Sequence, residues 1–448
     1  MATDLSEARE LAESGKYPDA WRILSPHLSE EPNDPKGLLL ASFMLEKQGN
    51  PALAYQICKQ ITAAHPSNPV GWINLGKCCD TLWRMSEAEA CYARALTQIK
   101  AGDDSMKVTA YTNLAAVHLQ LGDFSKARLF SEKALRLDPG HLKSRHNIGL
   151  CHLAAGEWPD GWRQYEASVG SPQRIAWNYT GEPTWRGESG KSVVVFGEQG
   201  IGDEVCAASM IPDAVQRAGK VIIDCDARLA KLFARSFPKA KVYGTRSEKV
   251  LNWAEEDQNP DYSIAGMQLG AIFRKSKESF PVAPYLKADP EQTLMWKALW
   301  RDKGKPAVGL AWSGGLKETG SGLRSIDLKR LAPILGMDCT FVSLQYKDAA
   351  REIEGTQVRQ FAHATLVKDY DHTASLVASL DAVVSVPTAV AHLSGALGVE
   401  TVAMKSPASC WKYAAGLPFH PCHLIENSGN WDSTIENAAS KLRSILHG

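Results

Sequence analysis

Pro32 and Pro66 lie 34 residues apart, and the same period pairs Ala20 with Ala54 and Gly15 with Gly49. No feature of the chain narrows its folding choices more, because a fixed period of this length marks stacked copies of one unit, none of which buries its apolar face alone. The next unit keeps the register through Trp72, Leu75, Gly76, Ala88, Tyr92 and Ala95. After a five-residue slip in "QIKAGDDSMK", Tyr111, Leu114, Ala115, Gly122, Ala127, Ala134 and Pro139 resume it, and Ile148, Gly149, Gly156, Gly161 and Tyr165 make a last unit. Small residues let two antiparallel helices approach, Gly ends the first helix, and Pro stops the second.

These positions resemble the tetratricopeptide repeat over residues 1–168. Such arrays stack into superhelices whose concave face holds a peptide or protein, so the array is expected either to dock a partner or to scaffold the C-terminal part of the chain.

Beyond "GSPQRIAWNYTGEPTWRGES" the period changes. Apolar runs at 193–196, 220–224, 241–244 and 262–267 alternate with helical patterns, as in a parallel sheet crossed by helices. A Pro-rich link, "FPVAPYLKADP", precedes a second series at 307–312, 340–345, 382–386 and 401–405, and "STIENAASKLRSIL" reads as a final amphipathic helix. The expected organisation is a repeat domain over 1–168, a linker over 169–190, and two Rossmann-like domains over 191–285 and 286–448. The fold class is α plus α/β, with a cleft at the strand C-terminal ends.

"VVVFGEQGIGDEV" (193–205) has the strand, glycine turn and helix that usually hold phosphate. Its turn region, however, carries Glu198, Asp203 and Glu204 and neither Lys nor Arg. Two phosphate or metal lookalikes fall away. "GESGKS" (187–192) precedes a strand where a phosphate loop follows one, and in "DCD" (224–226) the expected role is capping of a helix that starts near Ala227. "HPCH" (420–423) holds too few ligands at zinc spacing.

The balance of 50 Lys plus Arg against 50 Asp plus Glu excludes a global field that steers nucleic acid or an anionic membrane. No signal segment or run of 18 apolar residues occurs, and the 10 Cys are scattered without CxxC pairs. The expectation is a soluble cytoplasmic protein with buried free thiols and no membrane span.

"GLAWSGG", "RSIDL" and "LDAVVSVPTAVAHLSGALG", with "PTWRGE", "GEQGIGDE", "SLQ" and "WKY" (411–413), resemble a particular group of sequences. These are bacterial and phage tetratricopeptide proteins whose C-terminal half is similar to heptosyltransferases (glycosyltransferase family 9) and, more distantly, to O-linked N-acetylglucosamine transferase. The resemblance implies a GT-B pair and an inverting, metal-independent transfer from a nucleotide-diphospho-sugar, with no cofactor. It places Asp203 where heptosyltransferases carry the catalytic base, with Glu198, Gln199 and Gly202 on the acceptor side; the residue-level alternative for Asp203 is a helix cap. On the donor side it implies Ser313, Gly314, Lys317, Arg324, Ser325, Gln345, Thr388, Ala389 and His392. Cations and helix-end amides there would meet the leaving diphosphate. A solvated surface role is the alternative for Lys317, and a structural hydrogen-bonded role for His392. Relatives read Val-Asp-Thr where this chain has Val386-Pro387-Thr388, which puts the sugar in question. A protein, peptide, glycan or modified-nucleotide acceptor fits this reading, nucleic acid is not indicated, and the alternative is a non-catalytic adaptor with a degenerate transferase domain.

Overall fold

A computed structural model describes residues 5–171, 174, 182–248, 251, 253–254, 260–281, 283–301, 304–315, 320–366, 369–406, 408–427 and 429–447. The chain divides into two compact units, Met1–Ile148 and Gly149–Gly448.

The first unit is a run of paired helices: α1 (Ser6–Glu13) with α2 (Tyr17–Glu30), α3 (Pro35–Lys47) with α4 (Pro51–Ala64), α5 (Pro69–Thr81) with α6 (Met85–Gln98), and α7 (Asp104–Gln120) with α8 (Phe124–Leu137). Asp34 starts α3 by accepting from Gly37 N–H (2.7 Å), and Asn68, Asp103 and Asp123 cap α5, α7 and α8 in the same way. Each first helix ends in a left-handed residue: Gly15 (φ 80°), Gly49 (φ 75°) and, after the slip, Gly122 (φ 75°). The period puts Trp83 at the same place in the third unit, and it adopts φ 58° despite its side chain. The stacked repeat therefore overrides the local preference there. The slip is absorbed by α7, which runs 17 residues where α3 and α5 have 13.

A ninth helix, α9 (Leu142–Ala154), crosses the division between the units, and α10 (Trp158–Glu166) belongs to the second. The division thus falls earlier than the expected boundary at 168, because α10 carries an aromatic face that packs into the α/β region. Trp162 Nε1–H donates to the Arg274 carbonyl (2.8 Å), and Gly270 leaves room for its ring, since a Cβ there would lie 2.3 Å from the indole.

The rest of the second unit is built on two parallel sheets. The first has the order β3-β2-β1-β4, from β1 (Ser192–Phe196), β2 (Lys220–Asp224), β3 (Lys241–Tyr243) and β4 (Tyr262–Ala265). The second has the order β10-β9-β8-β5-β6-β7, from β5 (Ala307–Ala311), β6 (Thr340–Ser343), β7 (Arg359–Gln360), β8 (Ala382–Ser385), β9 (Glu400–Met404) and β10 (His423–Ile425). The strands are apolar runs because helices cover the sheets. Val308, Leu310, Val384 and Val402 form one core with Ile435, Ala438 and Leu442 of the terminal helix Trp431–His447.

Residues 169–190, expected to be a linker, are partly built in. The segment around Thr184 bridges to Ser263 of β4, Trp185 is fully buried, and Arg174 is 0% exposed. No helix among the described residues is long and apolar enough to cross a membrane, and all ten cysteines are free thiols.

Candidate functional site

The turn after β1 opens helix α11 (Ile201–Ala208), and its carboxylates meet cations from elsewhere in the chain. Glu198 is held by Arg174 through two bonds of 2.5 Å from Nε and Nη2, with both side chains buried (4% and 0% exposed). The Arg174 guanidinium also lies 3.7 Å from the Tyr165 ring centre. Glu204 Oε1 is 2.8 Å from Arg246 Nε, without the alignment of a hydrogen bond, and Glu204 Oε2 accepts from Asp226 N–H (2.9 Å). Burial outweighs Arg246 here and pushes Glu204 up to about 8. Asp203 pairs with Lys412 Nζ. Burial alone would lower the Lys412 ammonium, but Asp203 reverses this and holds it well above the ordinary lysine value.

Asp203 and Gly202 border a cavity of about 670 Å³ that also takes lining from the turn after β8. The two sides come close because Gly202 has no side chain; a Cβ there would lie 3.3 Å from both Ala389 Cα and His392 Cδ2. Facing Asp203 and Lys412 are Arg324 and the start of the helix Ala389–Leu397, whose cap residue Thr388 makes no side-chain capping bond. Arg324 is half-buried, donates to the Ala408 carbonyl (3.2 Å), and has no carboxylate partner among the described residues. A helix start without a side-chain cap, beside a guanidinium that has no carboxylate partner among the described residues, has the charge and geometry to suit an anion. Tyr346, 51% exposed, stands at the same cavity.

Glu198 and Gln199, expected on the acceptor side, do not line this cavity. Glu198 is committed to Arg174, and Gln199 accepts from Tyr165 Oη (3.0 Å). Asp203 is the third residue of α11, whose cap is Gly200, and its carboxylate is bound by Lys412. Asp226 does cap the short helix at Ala227, as expected, while Asp224 is buried and accepts from Thr245 and Trp253.

Other donor-side expectations fall behind the cavity wall. Buried Ser313 is bound by the Gln345 amide, which accepts from Ser313 N–H (2.9 Å), and Ser325 Oγ accepts from Gly314 N–H (3.3 Å). Gly314 lets the turn after β5 touch the turn after β8, since a Cβ would lie 2.6 Å from Thr388 Cγ2. Lys317 lies outside the described residues. Pro387 borders the cavity but precedes the cap, so it stands before the first turn of the helix.

His392 also lines the cavity, yet its Nδ1 is engaged: it lies 3.2 Å from Cys206 Sγ and 3.0 Å from His420 Nε2. Burial lowers both rings, His420 to about 4, so they are neutral imidazoles. His420 comes from the "HPCH" segment, whose partners lie far away in sequence, on α11 and on the 389–397 helix. Lys412 is among the cavity residues that sequence reasoning missed, with Arg228, Tyr346 and Tyr413. "WKY" marked its position, but a pair spanning 209 residues leaves no local trace.

Among known proteins, a family model described as "Tetratricopeptide repeat" matches residues 70–140. The chain is 29% identical over 467 aligned residues to Protein FlbA of Caulobacter vibrioides, covering 95% of this chain and 77% of that protein. It is 23% identical over 157 residues to Tetratricopeptide repeat protein 8 of Caenorhabditis elegans, covering 35% and 30% of the two chains. Solved structures that match include MamA (19% identical, 37% of this chain and 94% of that one, TM-score 0.32). Pseudomonas aeruginosa pilF is another (18% identical, 36% and 72%, TM-score 0.34). The N-terminal region of this chain carries tetratricopeptide repeats.

Proposed function

We propose that the chain is a glycosyltransferase of GT-B type that moves a sugar from a nucleotide-diphospho-sugar to an acceptor hydroxyl with inversion and without a catalytic metal. The observation that carries this reading is one cavity with a carboxylate, Asp203, on the first sheet's side and, on the second's, Arg324 without a carboxylate partner among the described residues plus an uncapped helix start. Those are the two things an inverting transfer needs: a proton acceptor on one face of the anomeric carbon and positive potential at the leaving diphosphate on the other.

In this mechanism the acceptor hydroxyl displaces the Lys412 contact and gives its proton to Asp203 as its oxygen bonds to the anomeric carbon. The bond from that carbon to the diphosphate oxygen breaks, and the released charge is taken up by Arg324 and the N–H groups of the 389–397 helix. Tyr346 offers an exposed ring for the nucleobase, where stacking is worth about 1–3 kcal/mol. The repeats dock a protein or peptide acceptor, in keeping with the use of such arrays as binding scaffolds.

The second reading is an adaptor with a degenerate transferase domain. Pro387 favours it, because the carboxylate that would have held sugar hydroxyls is missing. A thermal-shift screen with UDP-, GDP-, ADP- and CMP-sugars separates the two. A ligand at about 100 times its dissociation constant adds about 2.7 kcal/mol, whereas an adaptor shows no shift with any nucleotide.

A further inference from the structure

Three potential ligand atoms converge where α11 meets the 389–397 helix. Cys206, His392 and His420 are all buried, and each offers a ligand atom within 4.8 Å of those of the other two. We propose that Cys206, His392 and His420 form a mononuclear site for a transition-metal dication of the zinc class, which pins a helix of the first sheet to a helix of the second.

Hydrogen bonding alone leaves this cluster unsatisfied. The Pro421 carbonyl lies 3.3 Å from His420 Nδ1 and can only accept, which assigns the ring proton to Nδ1 and leaves His420 Nε2 presenting a lone pair to the cluster. His392 Nδ1 faces that lone pair at 3.0 Å and the Cys206 sulfur at 3.2 Å. If it carries a proton for His420, the weak thiol donor of Cys206 is left without an acceptor there. If it keeps a lone pair for the thiol, two nitrogen lone pairs are set against each other. A dication resolves both, since binding expels the thiol proton and draws the three lone pairs to one centre.

The spacing agrees. Tetrahedral bonds of about 2.0–2.1 Å to nitrogen and about 2.3 Å to sulfur separate two nitrogens by about 3.3 Å and a nitrogen from a sulfur by about 3.6 Å. The two contacts of His392 Nδ1, at 3.0 and 3.2 Å, need to open by only a few tenths of an ångström. A carbonyl on the remote nitrogen of a ligating imidazole is the usual orienting partner, and one thiolate with two imidazoles suits zinc far better than magnesium or calcium.

The backbone is also shaped for the approach. A Cβ at Gly395 would lie 2.2 Å from His420 Nδ1 and 2.6 Å from the Pro421 carbonyl oxygen, so His420 reaches the helix only over a glycine. Gly202 does the same for the contact of α11 with Ala389 and His392. Both lie inside helices, where glycine costs about 0.5–1 kcal/mol relative to alanine. The fourth metal position falls to a water, with the buried Tyr413 hydroxyl as a hydrogen-bond partner; Tyr413 lies 5.7 Å from His392 between ring centres, and its hydroxyl has no partner among the described residues.

The test is metal analysis of the full chain purified without chelators, together with cobalt(II) loading. About one zinc per chain is expected, and cobalt should give a thiolate charge-transfer band. Both should be lost in Cys206→Ser and His420→Gln. They should persist in His27→Gln, which alters a second candidate cluster of His27, Glu31 and Asp34. Metal-free native protein that shows no such band with excess cobalt overturns the proposal, and so does metal that survives Cys206→Ser or disappears in His27→Gln. Nucleotide binding, measured on the same preparations, reports on the transferase reading separately, so each can fail without the other.

Discussion

Replacing Asp203 by Asn is the obvious probe of a catalytic base, and a cap-only view expects little change in stability because Asn also caps helices. The ion pair changes that expectation. The Lys412 side chain is 8% exposed and its partner 28%, so Asp203→Asn leaves a nearly buried ammonium without its counter-charge. Removing one member of a fully buried pair costs about 3–5 kcal/mol, and the partial exposure of Asp203 reduces this to about 2–3 kcal/mol. An upper bound comes from neutralising the lysine, since shedding the proton of a group with pKa near 10.4 at pH 7 costs about 4.6 kcal/mol. In the variant, burial acts on Lys412 unopposed and lowers its folded-state value below the unfolded one. The unfolded chain then binds more protons, so the variant's stability rises with pH from about 7 toward 10, by at most about 1.4 kcal/mol per pH unit. The deficit against wild type should therefore shrink as pH rises. Hydrogen exchange on peptides spanning β1 and α11 reads the loss locally, without assuming that both compact units unfold together. The double variant Asp203→Asn/Lys412→Met should recover most of it. An Asp203→Asn protein as stable as wild type at pH 7, or one whose deficit grows with pH, would refute this reasoning. With stability so controlled, the variant's kcat should fall by about 10² to 10⁴ at unchanged nucleotide affinity.

Arg174→Met should cost about 3–5 kcal/mol by leaving Glu198 buried and unpaired, while Arg174→Met/Glu198→Met should cost far less; equal losses, by denaturant titration, would mean that the pair does not hold the turn. Turnover after brief EDTA treatment should not rise on adding Mg²⁺ or Mn²⁺, because Arg324 and helix amides meet the diphosphate; loss on chelation restored by either ion would contradict this. Pro387→Asp should leave affinity for the free nucleotide within about twofold, or about 0.4 kcal/mol, and sharpen the preference among sugars on that nucleotide. Competition binding reads both, and an unchanged sugar profile would remove the role assigned to that position.

The repeats and most strands were legible because they rest on periodicity. Gly15, Gly49 and Pro66 announce the helix pairs, and the runs "VVVF" and "AVVSV" are too apolar to lie anywhere but inside sheets. Short β7 and β10 carry no such signal. The site was legible only in part, because its chemistry depends on distant pairings. Glu198 looked like a ligand contact while Arg174, 24 residues earlier, sat in a segment read as a linker. The proposed metal cluster left no trace in "HPCH", since its other members, Cys206 and His392, lie 186 residues apart. Arg324 and Thr388 both border the cavity, Thr388 as the cap of the helix that follows β8 and Arg324 as the last residue of the short helix Ser321–Arg324.

The central claim is that Arg324 and the 389–397 helix start hold the diphosphate of a nucleotide-sugar. Calorimetric titration of the native protein and of Arg324→Ala with a nucleoside and its diphosphate tests it most directly. The account predicts that the native protein binds the diphosphate much more tightly than the nucleoside. The variant should lose about 1.5–3 kcal/mol for the diphosphate and almost nothing for the nucleoside. Equal losses for both ligands, or no diphosphate binding by the native chain, would contradict it.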